Sequence, residues 1–235
     1  MTVDHSEFDF LKSSAYCERV DKENLLNRKY VSEQTAIDDG SELISLKGKG
    51  FNLIYEPSFI EDYNYLVRAA IVEKIGRISE KLEAQGKVLI IRSAWRSFKH
   101  QRAIWDNRVK SLRDEFPKDS IEAIKEKVSC FIAPEAKSMH ATGGAVDALI
   151  LDSKSNTVLD FGTNEGLIIT LNKYCYPYHP QISAEAKKNR ELLIGLFEEE
   201  DFVVDVKEYW HFDYGNAIWG IKKGKKPFYG IIKEI

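Results

Sequence analysis

Between residues 61 and 212 two kinds of periodicity alternate at irregular intervals, without an internal repeat, and this narrows the possible folds sharply. From Glu61 to Gly86 the apolar residues Ile71, Ile75, Ile78 and Leu82 recur at spacings of four and three, which predicts an amphipathic helix capped by Gly86. Val88 to Ile91 is a short β-branched run, and Ser97 suits the N-cap of a helix carrying Ile104, Trp105, Val109 and Leu112 and ending near Pro117. Ser120 opens another helical pattern (Ile121, Ile124, Val128) that Pro134 breaks, and Gly143 to Leu151 then reads as a strand. Ser183 caps a last helix with Leu192, Leu193, Leu196 and Phe197 on one face, and Phe202 to Phe212 is strand-like. Such irregular alternation favours a compact α+β domain over a regular βαβ array. The first fifty residues are mixed and charged, with Asp38-Asp39-Gly40 and Lys47-Gly48-Lys49-Gly50 as turns and no long periodic element. They read as an N-terminal extension or wrapping arm (1–50) ahead of one folded domain (51–235).

Composition removes several classes of function. With 235 residues, 43% hydrophobic and 30% charged, the chain can bury a sizeable core. Its 34 Lys and Arg against 37 Asp and Glu give a net charge of -3, without the footprint of a general nucleic-acid binder. No run approaches the roughly 18 apolar residues that span a bilayer, and MTVDHSEFDF is acidic where a signal peptide is basic and then apolar. The expectation is a cytoplasmic protein acting on a small partner, with no membrane, nucleic acid or obligate protein partner. Cys17, Cys130 and Cys175 are odd in number and lack a C-x-x-C spacing, so neither a disulfide framework nor a thiolate cage is indicated.

Of the five histidines, two have loaded surroundings: His140 in SMHATGGAVDALI and His211 in KEYWHFDYG. A catalytic zinc commonly takes three protein ligands from His and Asp or Glu, so His140, Asp147 and His211 form a candidate set with Glu208 as a spare carboxylate. Gly143 and Gly144 allow the tight turn that lets His140 and Asp147 converge. A regular strand through Lys207 to Phe212 would send Glu208 and His211 to opposite faces, so this reading requires a bulge or bend there. His100 and His179 are read as structural or solvated, and Arg92 is the neighbouring competitor of Arg96.

Ser138, His140, Gly143, Ala145 and Asp147 fit the pattern S-x-H-x-x-G-x-A-x-D, and Glu208, Trp210 and His211 fit E-x-W-H. Together they resemble the zinc D-alanyl-D-alanine dipeptidases of the vancomycin-resistance type, over about Tyr55 to Gly215. Trp95-Arg96-Ser97 stands where that family carries Tyr-Arg-Pro at a strand-to-helix corner. The resemblance implies a small antiparallel sheet bearing the metal site and packed with helices, and one zinc per chain held by His140, Asp147 and His211. It implies hydrolysis of a D,D-dipeptide, D-alanyl-D-alanine first, with the zinc polarising the peptide carbonyl and bringing water to a pKa of about 7. Glu208 would be the general base, Arg96 would face the developing oxyanion, and Ser138 would bind the substrate or the ligand shell. Two departures touch substrate binding. FGTNEG places Glu165 near, and Gly166 on, the position of an aspartate that holds the substrate amine. Ser93 and Ser97 replace the aspartate and proline that flank the family's arginine. Tyr30, in NRKYVSEQ, corresponds to a tyrosine near the substrate amine. A D,D-carboxypeptidase or other small-peptide amidase is the alternative on the same metal chemistry. A non-catalytic zinc-binding module is a third reading, against which Glu208 and Arg96 both stand.

Overall fold

The computed structural model describes residues 5–33, 36–58, 60–61, 63–129, 132–163 and 173–235. The helices are α1 (His5–Glu33), α2 (Ala69–Glu83), α3 (Phe98–Glu115), α4 (Ile121–Ser129), α5 (Ala184–Glu199) and α6 (Ala217–Lys223). The strands are β1 (Leu43–Ser45), β2 (Leu53–Tyr55), β3 (Leu66–Arg68), β4 (Lys87–Ser93), β5 (Ala145–Asp152), β6 (Thr157–Val158), β7 (Val203–Val204) and β8 (His211–Asp213). The main sheet runs β2-β4-β5-β8-β7, with β6 also on β5, while β1 and β3 form a separate antiparallel pair. The architecture is the expected α+β type. The sheet is antiparallel except at one edge, where β2 and β4 run parallel.

The core lies where the apolar periodicities meet. Ile71, Ile75, Ile78 and Leu82 of α2 are fully buried and join Leu193, Leu196 and Phe197 of α5 in one cluster with Leu89, Ile91, Ala148, Ile150 and Phe212 of the sheet. Each such side chain contributes about 1.5–3 kcal/mol by leaving water. Ser97 and Ser183 cap α3 and α5 as read from the sequence, their hydroxyls accepting from His100 N and Ala186 N. The helix expected from Glu61 starts only at Ala69. Tyr63, Tyr65 and Val67 are buried at a spacing of two, but Tyr65 turns the chain at a left-handed φ of 48° and only Leu66–Arg68 is a strand before the helix begins.

The largest difference from expectation is α1, a helix of 29 residues in a stretch that shows no apolar periodicity. Its inward positions include Ser13, Cys17, Val20 and Asn27, which are buried at helical spacing but are too small or polar to stand out in the sequence. Side-chain pairs dock it. His179 Nδ1 accepts from Gln181 N, so Nε2 carries the proton and donates to Ser13 Oγ at 3.1 Å. Tyr16 Oη accepts from Tyr178 N, Tyr176 Oη donates to Asp21, Lys222 meets Glu23, and Arg28 donates to the Ser129 carbonyl at 3.0 Å.

A fully buried arginine ties the irregular segments together. Arg68 donates to the carbonyls of Thr142, Ser41 and Gly230 and pairs with Asp38 at 2.5 Å. It thereby anchors the turn that carries His140.

Candidate metal centre

Strand register builds the floor of the site. Asp147 of β5 lies opposite His211 of β8 on one side and Ser93 of β4 on the other. The β4–β5 ladder shifts register between Ile91 and Ser93. Such an irregularity re-aims side chains beside a site. His140 reaches the same place from a 3-10 turn, Met139–Thr142, that ends on Gly143 at φ 71°. A Cβ on Gly143 would fall 2.4 Å from Leu43 Cδ2, and one on Gly144 would fall 2.4 Å from the Tyr214 carbonyl. The turn that joins His140 to Asp147 therefore requires both glycines.

The expected strand from Phe202 to Phe212 is broken. Between β7 and β8 the chain turns: Lys207 N donates to Asp205 Oδ1, Asp205 N to the His211 carbonyl and His211 N to the Glu208 carbonyl. This is the bend that Glu208 and His211 needed in order to share a cavity.

One ligand-capable atom from each of His140, Asp147 and His211 lies within 4.8 Å of the others, and all three residues are buried. His140 Nδ1 is 2.8 Å from the Ala94 carbonyl, which makes it the donor and leaves Nε2 facing Asp147 Oδ2 at 3.2 Å. Burial and the nearby Arg96 charge pull the His140 pKa down to about 4, so its imidazole is neutral, the form that binds metals. His211 Nδ1 lies 2.9 Å from Asp147 Oδ1, and its Nε2 lies 3.3 Å from Asp213 Oδ1. Burial disfavours charge on His211, yet the carboxylates of Asp213 and Asp147 outweigh it and hold its pKa well above the usual value. Burial likewise acts to raise Asp147, but the charges and hydrogen bonds of His140 and His211 keep it well below the carboxylate range. The set thus holds an ionised carboxylate and a neutral imidazole, with a second imidazole whose Nδ1 proton sits where a cation would replace it. This donor chemistry fits a divalent metal such as zinc.

Asp213 is the residue the sequence reading missed. It is fully buried, accepts from Asn216 Nδ2 at 2.6 Å, and its Oδ2 has no hydrogen-bond partner among the described residues. A carboxylate behind a metal-facing histidine fixes the ring and its tautomer. Its signal was the spacing of two from His211, which puts both on one face of a strand.

Arg96 is clamped. Its Nε donates to Ser93 Oγ at 2.7 Å, Nη1 to Gln101 Oε1 at 3.3 Å and Nη2 to Asp147 Oδ2 at 2.9 Å. Ser93 is held in turn by Tyr63 Oη at 3.0 Å and takes up the guanidinium where the resemblance has an aspartate. Arg92, the competitor, turns away to pair with Glu56.

A cavity of about 930 Å³ joins these groups and is lined by Arg96, Ser138, His140, Asp147, Glu208 and His211. Glu208 is half-buried, and loss of water around it together with the Asp205 carboxylate pushes its pKa up to about 8. Ser138 is buried and forms no side-chain hydrogen bond with any described residue. The structure does not bring Tyr30 into this set: it is 46% exposed, while Asn24, Asn27, Arg28 and Val31 of the same helix line the cavity. Exposure follows helix geometry, since inward positions on α1 leave Tyr30 on the outer face. Glu165 lies outside the described residues.

Several known proteins are similar to this chain in sequence or shape. The D-alanyl-D-alanine dipeptidase of Escherichia coli K12 is 31% identical over 80 residues, which are 34% of this chain and 39% of that enzyme. The match spans about two fifths of the relative's length. The vancomycin-resistance D,D-pentapeptidase VanY of the VanB-type cassette, solved with Zn(II), is similar over 81% of this chain and 90% of its own, at 15% identity and TM-score 0.47. The LD-carboxypeptidase LdcB is similar over 80% of this chain and 76% of its own, at 17% identity and TM-score 0.45. Among the described residues no helix is long and apolar enough to cross a membrane. The profile of the D-ala-D-ala dipeptidase family, peptidase family M15, matches residues 58–228, a stretch that holds His140, Asp147, Glu208 and His211 and excludes α1, and the chain belongs to that family.

Proposed function

We propose that this chain is a zinc-dependent D,D-peptidase that hydrolyses the bond between two D-alanyl residues of a small cell-wall peptide. The observation that carries the reading is the convergence of His140, Asp147 and His211 with Glu208 and Arg96 on one cavity, inside the stretch that matches the family. His140, Asp147 and His211 would hold one zinc ion per chain. When bound, zinc supplies a Lewis acid that polarises the peptide carbonyl and acidifies water.

The remaining chemistry belongs to side chains. Glu208 takes a proton from the attacking water and returns it to the leaving nitrogen, so that water adds across the bond and gives a carboxylate and a free amine. Its ionisation has to be favoured over the pKa of about 8 that burial and Asp205 impose. A nearby cation acts in that direction. Arg96 has five N–H donors. Three are engaged by Ser93, Gln101 and Asp147, leaving one on each terminal nitrogen for the oxygen on which negative charge develops. The Ser138 hydroxyl would hydrogen-bond the substrate or the ligand shell, and Glu165 is the proposed contact for a substrate amine.

The test is D-alanine release from D-alanyl-D-alanine by zinc-loaded protein, beside L-alanyl-L-alanine and with metal content measured. Turnover of the D,D-peptide alone, abolished by a chelator and restored by zinc, is the expected result. Glu208→Gln should lower kcat by about 100- to 10,000-fold while retaining zinc. Zinc near one per chain without turnover of any D,D-peptide would overturn the reading and leave a binding module.

A further inference from the structure

The Nε edge of the Arg96 guanidinium rests on a hydroxyl. Ser93 Oγ accepts from Nε at 2.7 Å, and Ser93 is 6% exposed. An aspartate in that place would hold the same edge by charge as well as by hydrogen bonding. A serine offers a neutral acceptor on a side chain with three staggered rotamers, and only a rotamer that faces Arg96 serves. The rotamer therefore has to be chosen by something else.

Tyr63, just before β3, meets that need. Its ring packs edge-on against Tyr65, with centroids 4.7 Å apart, and lies 6.2 Å from the His100 ring. Its Oη accepts from Ala94 N at 2.7 Å and shares a hydrogen bond of 3.0 Å with Ser93 Oγ. Ring, main chain and serine thus fix the phenol together. Burial raises the Tyr63 pKa above its ordinary value, so the group stays neutral and keeps its proton.

The other two contacts of Arg96 cannot replace this one. Nη1 and Nη2 are held by Gln101 and Asp147, and two held atoms define a line about which the guanidinium plane still turns. The Nε contact stops that turn. Neither Tyr63 nor Ser93 is among the described residues that line the cavity, whereas Arg96 is, so the phenol can reach the reaction only through the guanidinium. The arrangement also keeps one negative charge fewer beside Arg96, which leaves more of its field for an oxygen that becomes anionic.

We infer that Tyr63 is a positioning residue for the peptidase reaction, locking the guanidinium plane of Arg96 through Ser93 by packing and a chain of neutral hydroxyls. Its role in turnover rests on the D,D-peptidase reading, while the lock itself can be measured without turnover.

The kinetic test compares zinc-loaded wild type, Tyr63→Phe, Arg96→Ala and the double variant on D-alanyl-D-alanine. Tyr63→Phe removes one oxygen and keeps the ring. It should lower kcat about tenfold with KM changed less than about twofold, and should have no further effect once Arg96 is alanine. Ser93→Ala breaks the same chain one link later, and adding Tyr63→Phe to it should make activity no worse. Full activity of Tyr63→Phe, or losses that simply add in either pair, would make Tyr63 structural only and overturn the inference. The second readout is hydrogen exchange of the Arg96 Nε–H, followed by nitrogen-edited NMR in metal-free protein and assigned by its disappearance in Arg96→Ala. Tyr63→Phe should speed that exchange about tenfold, and an unchanged rate overturns the lock. If wild type hydrolyses no D,D-peptide, the peptidase reading fails by itself and the exchange rate alone decides whether Tyr63 holds Arg96.

Discussion

The floor and the far wall of the cavity are built by different means. Ser93, Asp147 and His211 stand in register across three strands, and Arg96 is clamped by three partners at once. Their positions follow from the backbone ladder and the core beneath it. The wall is one helix, α1, held by separate side-chain pairs, with Leu25 and Leu26 left 66% and 54% exposed on its outer side. The exposed ion pairs among them, such as Lys222–Glu23, are worth about 0–1 kcal/mol each. Groups that share a metal and a reacting bond need placement within tenths of an ångström, which a ladder supplies.

The sharpest way to break this division is to disturb the floor from behind. Asp213→Asn keeps the shape but weakens the grip on His211 Nε2, and should lower zinc affinity about 10- to 100-fold in competition with a chelator. Unchanged affinity would show that strand register alone fixes the ring.

A second measurement uses protons. In metal-free protein the folded-state pKa of Glu208, about 8, lies above its ordinary value of 4.5. The folded state therefore holds a proton that the unfolded chain releases, and this stabilisation is complete below pH 4.5 and lost as pH rises through 8. Thermal unfolding of metal-free wild type should accordingly lose ground to Glu208→Gln between pH 5 and 8, by a few degrees in Tm. Parallel curves would show that Glu208 takes up no extra proton on folding.

The smallest effect belongs to the wall. Ser13→Ala deletes the hydroxyl that His179 holds and should cost about 1 kcal/mol of unfolding free energy while leaving zinc affinity unchanged. A fall in zinc affinity would mean that wall and floor are not independent.

The same division decided what could be read from the sequence. The α2 stripe, the Ser97 and Ser183 caps and the β5 run were legible because each is a local pattern that the core uses directly. His140, Asp147, Glu208 and His211 stood out because their spacings matched a known motif. α1 stayed hidden because Ser13, Cys17, Val20 and Asn27 form a helical stripe without large apolar residues. The turn over residues 205–210 was demanded by the pairing of Glu208 with His211 but not by local propensity: Val and aromatic residues suggest a strand, and the Asp205 side chain overrides them by capping Lys207 N. Asp213 was visible in principle, two residues from a ligand candidate, but its importance depends on Asn216 and His211 meeting it in a sealed site.

Gly143 and Gly144 do no chemistry, yet a saturation scan of residues 138–147 would return them as intolerant as His140 and Asp147. At Gly143 any side chain meets both a left-handed backbone and Leu43, and at Gly144 it meets the Tyr214 carbonyl. Ranked by fitness alone, the hinge would be indistinguishable from the proposed ligands. Scoring the same library twice, once for folded yield and once for retained zinc, would separate them: glycine variants would be lost in the first screen and ligand variants only in the second.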